Sequence, residues 1–534
     1  MISNEAHGGT RGWLSVIGAA VLVLAAGPVA AQEAAVTMTL EEAISLARQN
    51  NPVYRQTAND ESVADWNVRQ AYGSFLPSLS VNGSMSYSAS GTPRIGIFSS
   101  AELGISRLPA NYSSGYSIGM GLSLSGSTIF RAVEAKANQG ATEKRVAAAA
   151  YQLSTDVTRQ YLAALRAADG VEIARSALES TEEALRLAQA RAAAGDATRI
   201  DAGQAEVDRG RTEVLLLQAE NLARTAKLGL LQTVGIELER DFELTSTFEV
   251  FEPRYDLEQL RSIAGTTNPT LAAARADEAA ANAASRAAKT AYLPSFNINA
   301  GWSGTIRRTG TDQYQIDRAL SSATSQAENQ IENCQFMNQL SARLNSPLPG
   351  YPVTDCTGEY AVTPAREAEI RGVVLAEYDR FPFDYDPNPF GVSLSVSLPI
   401  IDGFTRERNV HQARVQVEDA EHRRRAQELN QRAEVTTNML ALETAWRTVA
   451  LEERNSATAT EQLELAQERY RLGAGSILEL TQAQETKIRA DFAQLDAVYT
   501  FHETLAALEA AVGIPLRAMT NAAGDLEVPS SRER

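Results

Sequence analysis

The sequence predicts an α+β membrane protein in which four β-strands per chain lead into long antiparallel coiled-coil helices, all of it laid out as two repeats. Three observations predict this class. Residues 39 to 88 recur 217 positions later without a gap: Thr39, Asn51-Pro52, Asp60-Glu61 and Leu76-Pro77-Ser78 fall on Asp256, Asn268-Pro269, Asp277-Glu278 and Leu293-Pro294-Ser295. So long a shared register marks a duplicated unit, here a half-protein rather than a solenoid module. Four short segments alternate apolar and small polar residues with period 2. Two Ala-rich stretches of about sixty residues carry the pattern of very long helices.

The chain opens on a secretory signal at 1–31, with Arg11 before an apolar core from Trp13 to Ala26 and Val29-Ala30-Ala31 ahead of Gln32. The expected mature start is Gln32. Beyond it no run of 18 apolar residues occurs, so any crossing of a membrane is made by strands. Repeat 1 is read at 32–238, a linker or belt at 239–255, repeat 2 at 256–515 and a tail at 516–534.

Each repeat begins with a helix-start signal, Thr39-Leu40-Glu41-Glu42 or Asp256-Leu257-Glu258-Gln259. The following Asn-Pro kinks or restarts that helix, and Leu-Pro-Ser admits a strand, because Pro is tolerated at a strand's first position. Strands are expected at about 78–88, 117–125, 295–303 and 391–400. Leu79, Val81, Met85 and Tyr87 alternate with Ser80, Asn82, Ser84 and Ser86; Phe296, Ile298, Ala300 and Trp302 alternate with Asn297, Asn299, Gly301 and Ser303. Ile118, Met120, Leu122 and Leu124, then Val392, Leu394, Val396 and Leu398, repeat the pattern. A soluble half-buried sheet shows the same alternation. The membrane is favoured by the near absence of charge on the polar face and by Tyr87 and Trp302 near strand ends, where aromatic girdles form.

Four strands cannot close a barrel, so the barrel is shared between chains. Two chains would give a filled plug; three would give twelve strands and a lumen. Helical stretches at about Arg131–Arg191 and Arg406–Arg471, each roughly 90 to 100 Å long at 1.5 Å per residue, turn near 195 and 473 and return over Ile200–Gly235 and Leu478–Val512. Residues 304–389 interrupt the second repeat and are read as an extracellular insert. They hold the only two cysteines, Cys334 and Cys356, and an oxidising compartment favours a bridge over two unpaired thiols.

A formal charge of −17 argues against nucleic acid, whose phosphates demand a basic face. No active site, metal site or cofactor motif emerges. His411 and His422 stand eleven apart on a helix, too far for one metal, and Asp60-Glu61 with Asp277-Glu278 read as adjacent acids on solvated helix faces.

The duplicated Asn-Pro helix, the Leu-Pro-Ser strand entries, Leu-Pro-Ile-Ile-Asp-Gly at 398–403 and the two tip sequences together resemble the TolC-type outer-membrane efflux and secretion family over about 39–515. The resemblance implies a homotrimer with a 12-stranded barrel in outer-membrane lipid and a periplasmic helical tunnel. It also implies a periplasmic adaptor (membrane fusion) protein, an inner-membrane pump of the resistance-nodulation-division or ABC type, and a passive exit duct, of a tripartite efflux pump or a type I secretion system, for small molecules or polypeptides. The alternative is a periplasmic coiled-coil scaffold or adaptor without a pore; a hydrolase built into the insert is a third.

In the family a tip glycine is followed by a small or hydroxyl residue and then an acid. Gly195, Asp196, Thr198 and Asp201, and Gly473, Ala474, Ser476 and Glu479, match this pattern as hairpin tips and adaptor contacts. The family's periplasmic gate joins an acid of the first tip to a Tyr and an Arg of the second. Asp201 and Tyr470 occupy the first two positions, Gly475 stands where the Arg should be, Glu479 keeps one acid of the constriction, and Gln482 has lost the other.

Overall fold

The computed structural model describes residues 36–92, 94–95, 98–99, 109–237, 242–344 and 349–516. The signal segment, residues 239–241 of the linker, and the tail beyond Leu516 lie outside the described residues. In chain order the elements are β1 (Val36–Met38), α1 (Leu40–Asn50), α2 (Pro52–Gly73), β2 (Ser78–Ser88), β3 (Asn111–Ser125), α3 (Gly126–Ala194), α4 (Arg199–Val234), β4 (Phe242–Leu244), α5 (Leu257–Thr267), α6 (Pro269–Lys289), β5 (Ser295–Thr309), α7 (Asp312–Arg343), α8 (Pro364–Tyr378), β6 (Gly391–Ser397), α9 (Thr405–Arg471) and α10 (Ile477–Val512). The residues form two compact units, each interleaving segments from both repeats.

The Asn-Pro signals restart the helix rather than kink it. Asn51 caps α2 by accepting from the Tyr54 N–H at 2.9 Å. Asn268 does the same for α6 with Leu271 N–H at 2.9 Å, and its amide donates to the Ala511 carbonyl at 2.9 Å. Pro follows each cap at the first helical position, where its missing N–H costs nothing. The reciprocal Thr39–Glu42 capping box is present at 3.3 and 2.9 Å.

In the unit built from residues up to Asn50, 157–250 and 459–495, β1 and β4 pair in parallel, with Val36 opposite Phe242 and Met38 opposite Leu244. The fully buried Tyr161 ties this pair to α3: its hydroxyl donates to the Met38 carbonyl at 2.8 Å and accepts from Ser246 N–H at 3.1 Å. Short apolar runs gave no sequence signal for these strands. In the other unit, Leu260 of α5, Leu271 of α6, Leu442 of α9 and Phe501, Leu505 and Leu508 of α10 are all fully buried.

The second unit also carries an open antiparallel sheet in the order β2-β3-β5-β6. Register aligns whole rungs. Leu79, Met120, Ala300 and Val392 lie side by side on one face, and Ser80, Gly119, Gly301 and Gly391 on the other. The apolar face is uncovered: Leu79, Val81, Met85 and Tyr87 are 61 to 72% exposed, and Val392, Leu394 and Val396 are 58 to 65% exposed.

Three strand limits differ from those expected. β3 begins at Asn111, not near 117, and β5 runs on to Thr309, because the two pair with each other from Asn111↔Thr309 to Ser125↔Ser295. Backbone pairing outlasts the side-chain alternation that revealed it. The insert therefore starts after Thr309 and not at 304. β6 ends at Ser397, short of the expected 400, and Pro399, which has no N–H to give a ladder, follows it closely.

The two strand-to-helix exits differ as well. Ser125 and Thr128 cap one another at 3.3 Å so that β3 passes straight into α3. The second exit spends Pro399–Phe404 on a turn with Gly403 and Phe404 at φ 66° and 65°. Arg406 closes it through Asp402 and the carbonyls of Pro399 and Ile400. The acidic pair of the second repeat is not solvated as expected: Glu278 meets Arg424 at 2.5 Å and Asp277 meets Arg145 at 2.5 Å. In the insert a disulfide joins Cys334 of α7 to Cys356, with Cα atoms 5.7 Å apart.

Candidate functional site: the paired hairpin tips

The turns joining α3 to α4 and α9 to α10 repeat at the level of single atoms. Each outgoing helix ends on a glycine in the left-handed region, Gly195 at φ 86° and Gly473 at φ 76°, which only glycine adopts without cost. The next N–H reaches back five residues, Asp196 to the Arg191 carbonyl at 2.9 Å and Ala474 to the Arg469 carbonyl at 2.8 Å. This is the Schellman pattern that satisfies a helix's last carbonyls. Each arginine also bonds forward across its turn, Arg191 to the Asp196 carbonyl at 3.1 Å and Arg469 to the Ala474 carbonyl at 3.3 Å. The returning helices are capped by Thr198, whose hydroxyl accepts from Asp201 N–H at 3.2 Å, and by Ser476, which accepts from Glu479 N–H at 3.2 Å.

The two arginines differ in their second contact. Arg191 donates to the Tyr470 carbonyl at 2.6 Å and lies over the Tyr470 ring at 4.7 Å. Arg469 instead approaches Glu479 at 3.5 Å, with both side chains about half exposed. Tyr470 is 2% exposed in an apolar cluster with Ala184, Ala188, Ala205, Ile477 and Leu480. Burial raises its pKa above the usual phenol value; the Arg191 charge opposes the rise and Asp201 adds to it.

The residues singled out from the sequence are thus brought together, but with other partners than the resemblance implied. Asp201 does not bond to Tyr470 within the chain. Its carboxylate completes a capping box by accepting from Thr198 N–H at 2.8 Å, and the buried Tyr470 hydroxyl has no hydrogen-bond partner among the described residues. The guanidinium that lies on Tyr470 comes from Arg191 of the other tip, and position 475 carries none. Glu479 is half paired with Arg469, and Gln482 is exposed at the surface.

One turn deeper lies a polar layer that the sequence did not reveal. The Asp208 carboxylate, 7% exposed, accepts from Thr481 at 2.8 Å, Gln204 at 3.1 Å and Arg211 at 3.3 Å. Thr181 and Thr212 share a hydroxyl bond at 2.6 Å, and Gln484 donates to the Ser180 carbonyl at 3.1 Å. A cavity of about 420 Å³ opens beside them. An Asp inside a charged helical run looks like any solvated face, and only its partners distinguish it.

Along the chain, the strands β3 and β6 lead into the two tip-capped helical hairpins. The model of the outer membrane efflux protein family matches residues 43–236 and 376–514, more than half of the sequence. The chain belongs to that family, and it is TolC-like in fold. The stretch between the matched segments holds α5, α6, β5 and most of the insert.

Among solved structures, CusC, studied for transmembrane channel formation, superposes with a TM-score of 0.64 at 16% identity, over 90% of this chain and 93% of CusC. The Campylobacter jejuni CmeC outer membrane channel gives 0.63 at 15%, covering 89% and 85%. The open state of the Neisseria gonorrhoeae MtrE outer membrane channel gives 0.60 at 18%, covering 89% of each chain. At these identities the likeness speaks for the fold. No curated protein sequence matches.

Proposed function

We propose that this protein is the outer-membrane exit duct of a tripartite efflux pump, a passive channel energised elsewhere. The observation that carries the reading is the open sheet: its apolar rungs are exposed and, among the described residues, its edge strands β2 and β6 have no partner on their outer sides. In hydrocarbon, unpaired backbone groups cost several kcal/mol each, so such a sheet must close. Four strands from each of three copies make a barrel of twelve, wide enough for a lumen lined by the Ser, Asn and Gly rungs. A scaffold without a pore has no use for an apolar face of this kind, which in water invites aggregation.

The helices α3, α4, α9 and α10 extend the duct into the periplasm. Their tips are the contact for a periplasmic adaptor, itself joined to an inner-membrane pump of the resistance-nodulation-division or ABC type. Asp201, Tyr470, Glu479 and Gln482 mark the periplasmic entrance. The Tyr470 hydroxyl, unpartnered within one chain, is positioned to bond across to a neighbouring copy. Polar lumen rungs suit small solutes and unfolded polypeptides alike.

The test is extraction and mass. The reading expects protein that leaves membranes only with detergent and runs as a trimer stable to mild heating. A detergent-free, soluble monomer would overturn it.

A further inference from the structure

Where β5 ends, the insert forms a cavity of about 380 Å³ whose lining includes Arg307, Arg308, Gln315, Arg318, Glu377 and Tyr378, a size in the range of small-ligand pockets, about 300 to 1,000 Å³. Gln315 and Arg318 share a face of α7, three residues apart, and Glu377 and Tyr378 border it from α8. Three arginines and one glutamate thus contribute to its lining in a protein of net charge −17, with Arg307 and Arg308 projecting from opposite faces of β5.

The cations are not neutralised. No carboxylate pairs with Arg307, Arg308 or Arg318 among the described residues, whereas nearby Arg380 is held by both Asp384 and Asp386. Arg308 is instead gripped by rings: its guanidinium carbon lies 4.2 Å from the Tyr378 centroid, 5.3 Å from Tyr112 and 5.6 Å from Phe381. Rings fix a cation's position and shed its water without cancelling its charge. The Arg308 Nε is itself buried with no hydrogen-bond partner among the described residues.

We propose that this cavity binds a phosphate monoester. Its lining is cationic, which suits a phosphate anion, and a guanidinium fork matches phosphate oxygens. The tilted pair Tyr87 with Tyr112, ring centroids 4.8 Å apart, lies in the same rung as Arg308, where a girdle of aromatic residues would meet lipid headgroups and water. The phosphate is then presented by a headgroup of the outer leaflet or arrives free in solution. The site rests on the membrane orientation proposed above.

Isothermal titration of the full-length protein in detergent would use three probes: inorganic phosphate, mixed micelles with a monophosphorylated glycolipid, and micelles with its dephosphorylated counterpart. Saturable binding is expected for the phosphorylated micelles and not for the dephosphorylated ones. Arg318→Gln, on an exposed helix face, should weaken it at least about tenfold, the loss typical of a charge-assisted hydrogen bond. Arg308→Lys, which keeps charge within the cage, should retain more binding than Arg308→Gln. Equal affinity for inorganic phosphate would support the site with free phosphate as its ligand. Equal binding of both micelles, no saturable binding of any probe, or an unchanged Arg318→Gln would overturn the proposal. Channel activity of the same preparation keeps the two readings apart: conduction without binding removes the phosphate site alone, and binding without conduction removes the duct alone.

Discussion

Arg191 and Arg469 stand four residues before the two tip glycines, yet only Arg191 reaches the other hairpin. Its bond to the Tyr470 carbonyl and its place over the ring should hold the tips together by about 2 kcal/mol. Arg191→Ala is expected to raise hydrogen exchange at residues 470–476 by more than tenfold, with Arg469→Ala changing it little, as exposed ion pairs do. Tyr470→Phe removes no hydrogen bond within the chain, so monomer stability should hold within about 0.5 kcal/mol. If that variant also raises channel open probability, the hydroxyl's partner belongs to a neighbouring copy.

The raised Tyr470 pKa fixes a sign. The folded state favours the neutral phenol, so this contribution to tip stability is complete below the ordinary value of about 10 and is lost as pH climbs through the raised one. A spectrophotometric titration should show a late-ionising fraction that shrinks in Tyr470→Phe, and Arg191→Ala should push the Tyr470 part of it later still. At this scale the sequence placed Tyr470, Asp201 and Glu479 near each other but could not assign partners. The capping box claimed Asp201, and Arg191 has no spacing that distinguishes it from other helical arginines.

Among the elements, period-2 alternation located all four long strands, and the Thr39 and Asp256 capping signals located the starts of α1 and α5. Strand ends were less legible because pairing needs backbone alone. At Tyr112 and Arg308 the ladder continues through residues that no alternation rule selects. The Gly rung gives a sharp contrast. A Cβ on Gly301 would meet the Ile118 carbonyl oxygen at 2.5 Å, while one on Gly83 meets nothing within 4 Å. Gly301→Ala should therefore cost about 1 to 3 kcal/mol in thermal or denaturant unfolding, and Gly83→Ala should stay within about 0.5 kcal/mol. In the insert the disulfide closes a loop of sequence separation 22. Its reduction should loosen α7 and residues 349–360 by about 3 kcal/mol in the loop-entropy account, read as faster proteolysis there with conduction retained.

For the whole molecule, the duplicated half-protein and the length of the helices carried most of the argument before any coordinate was known. A 69-residue helix, about 100 Å long, has few uses besides spanning a compartment. What the sequence did not carry is the sheet's open edges, which among the described residues pair with no further strand. The central claim is that copies of this chain enclose a water-filled path. Single-channel current in a planar bilayer under asymmetric salt tests it most directly. Discrete steps are expected, with a cation preference that strengthens in Arg469→Ala as Glu479 loses its counter-charge. A silent bilayer from folded, detergent-extracted protein, still silent in Arg191→Ala, would contradict it.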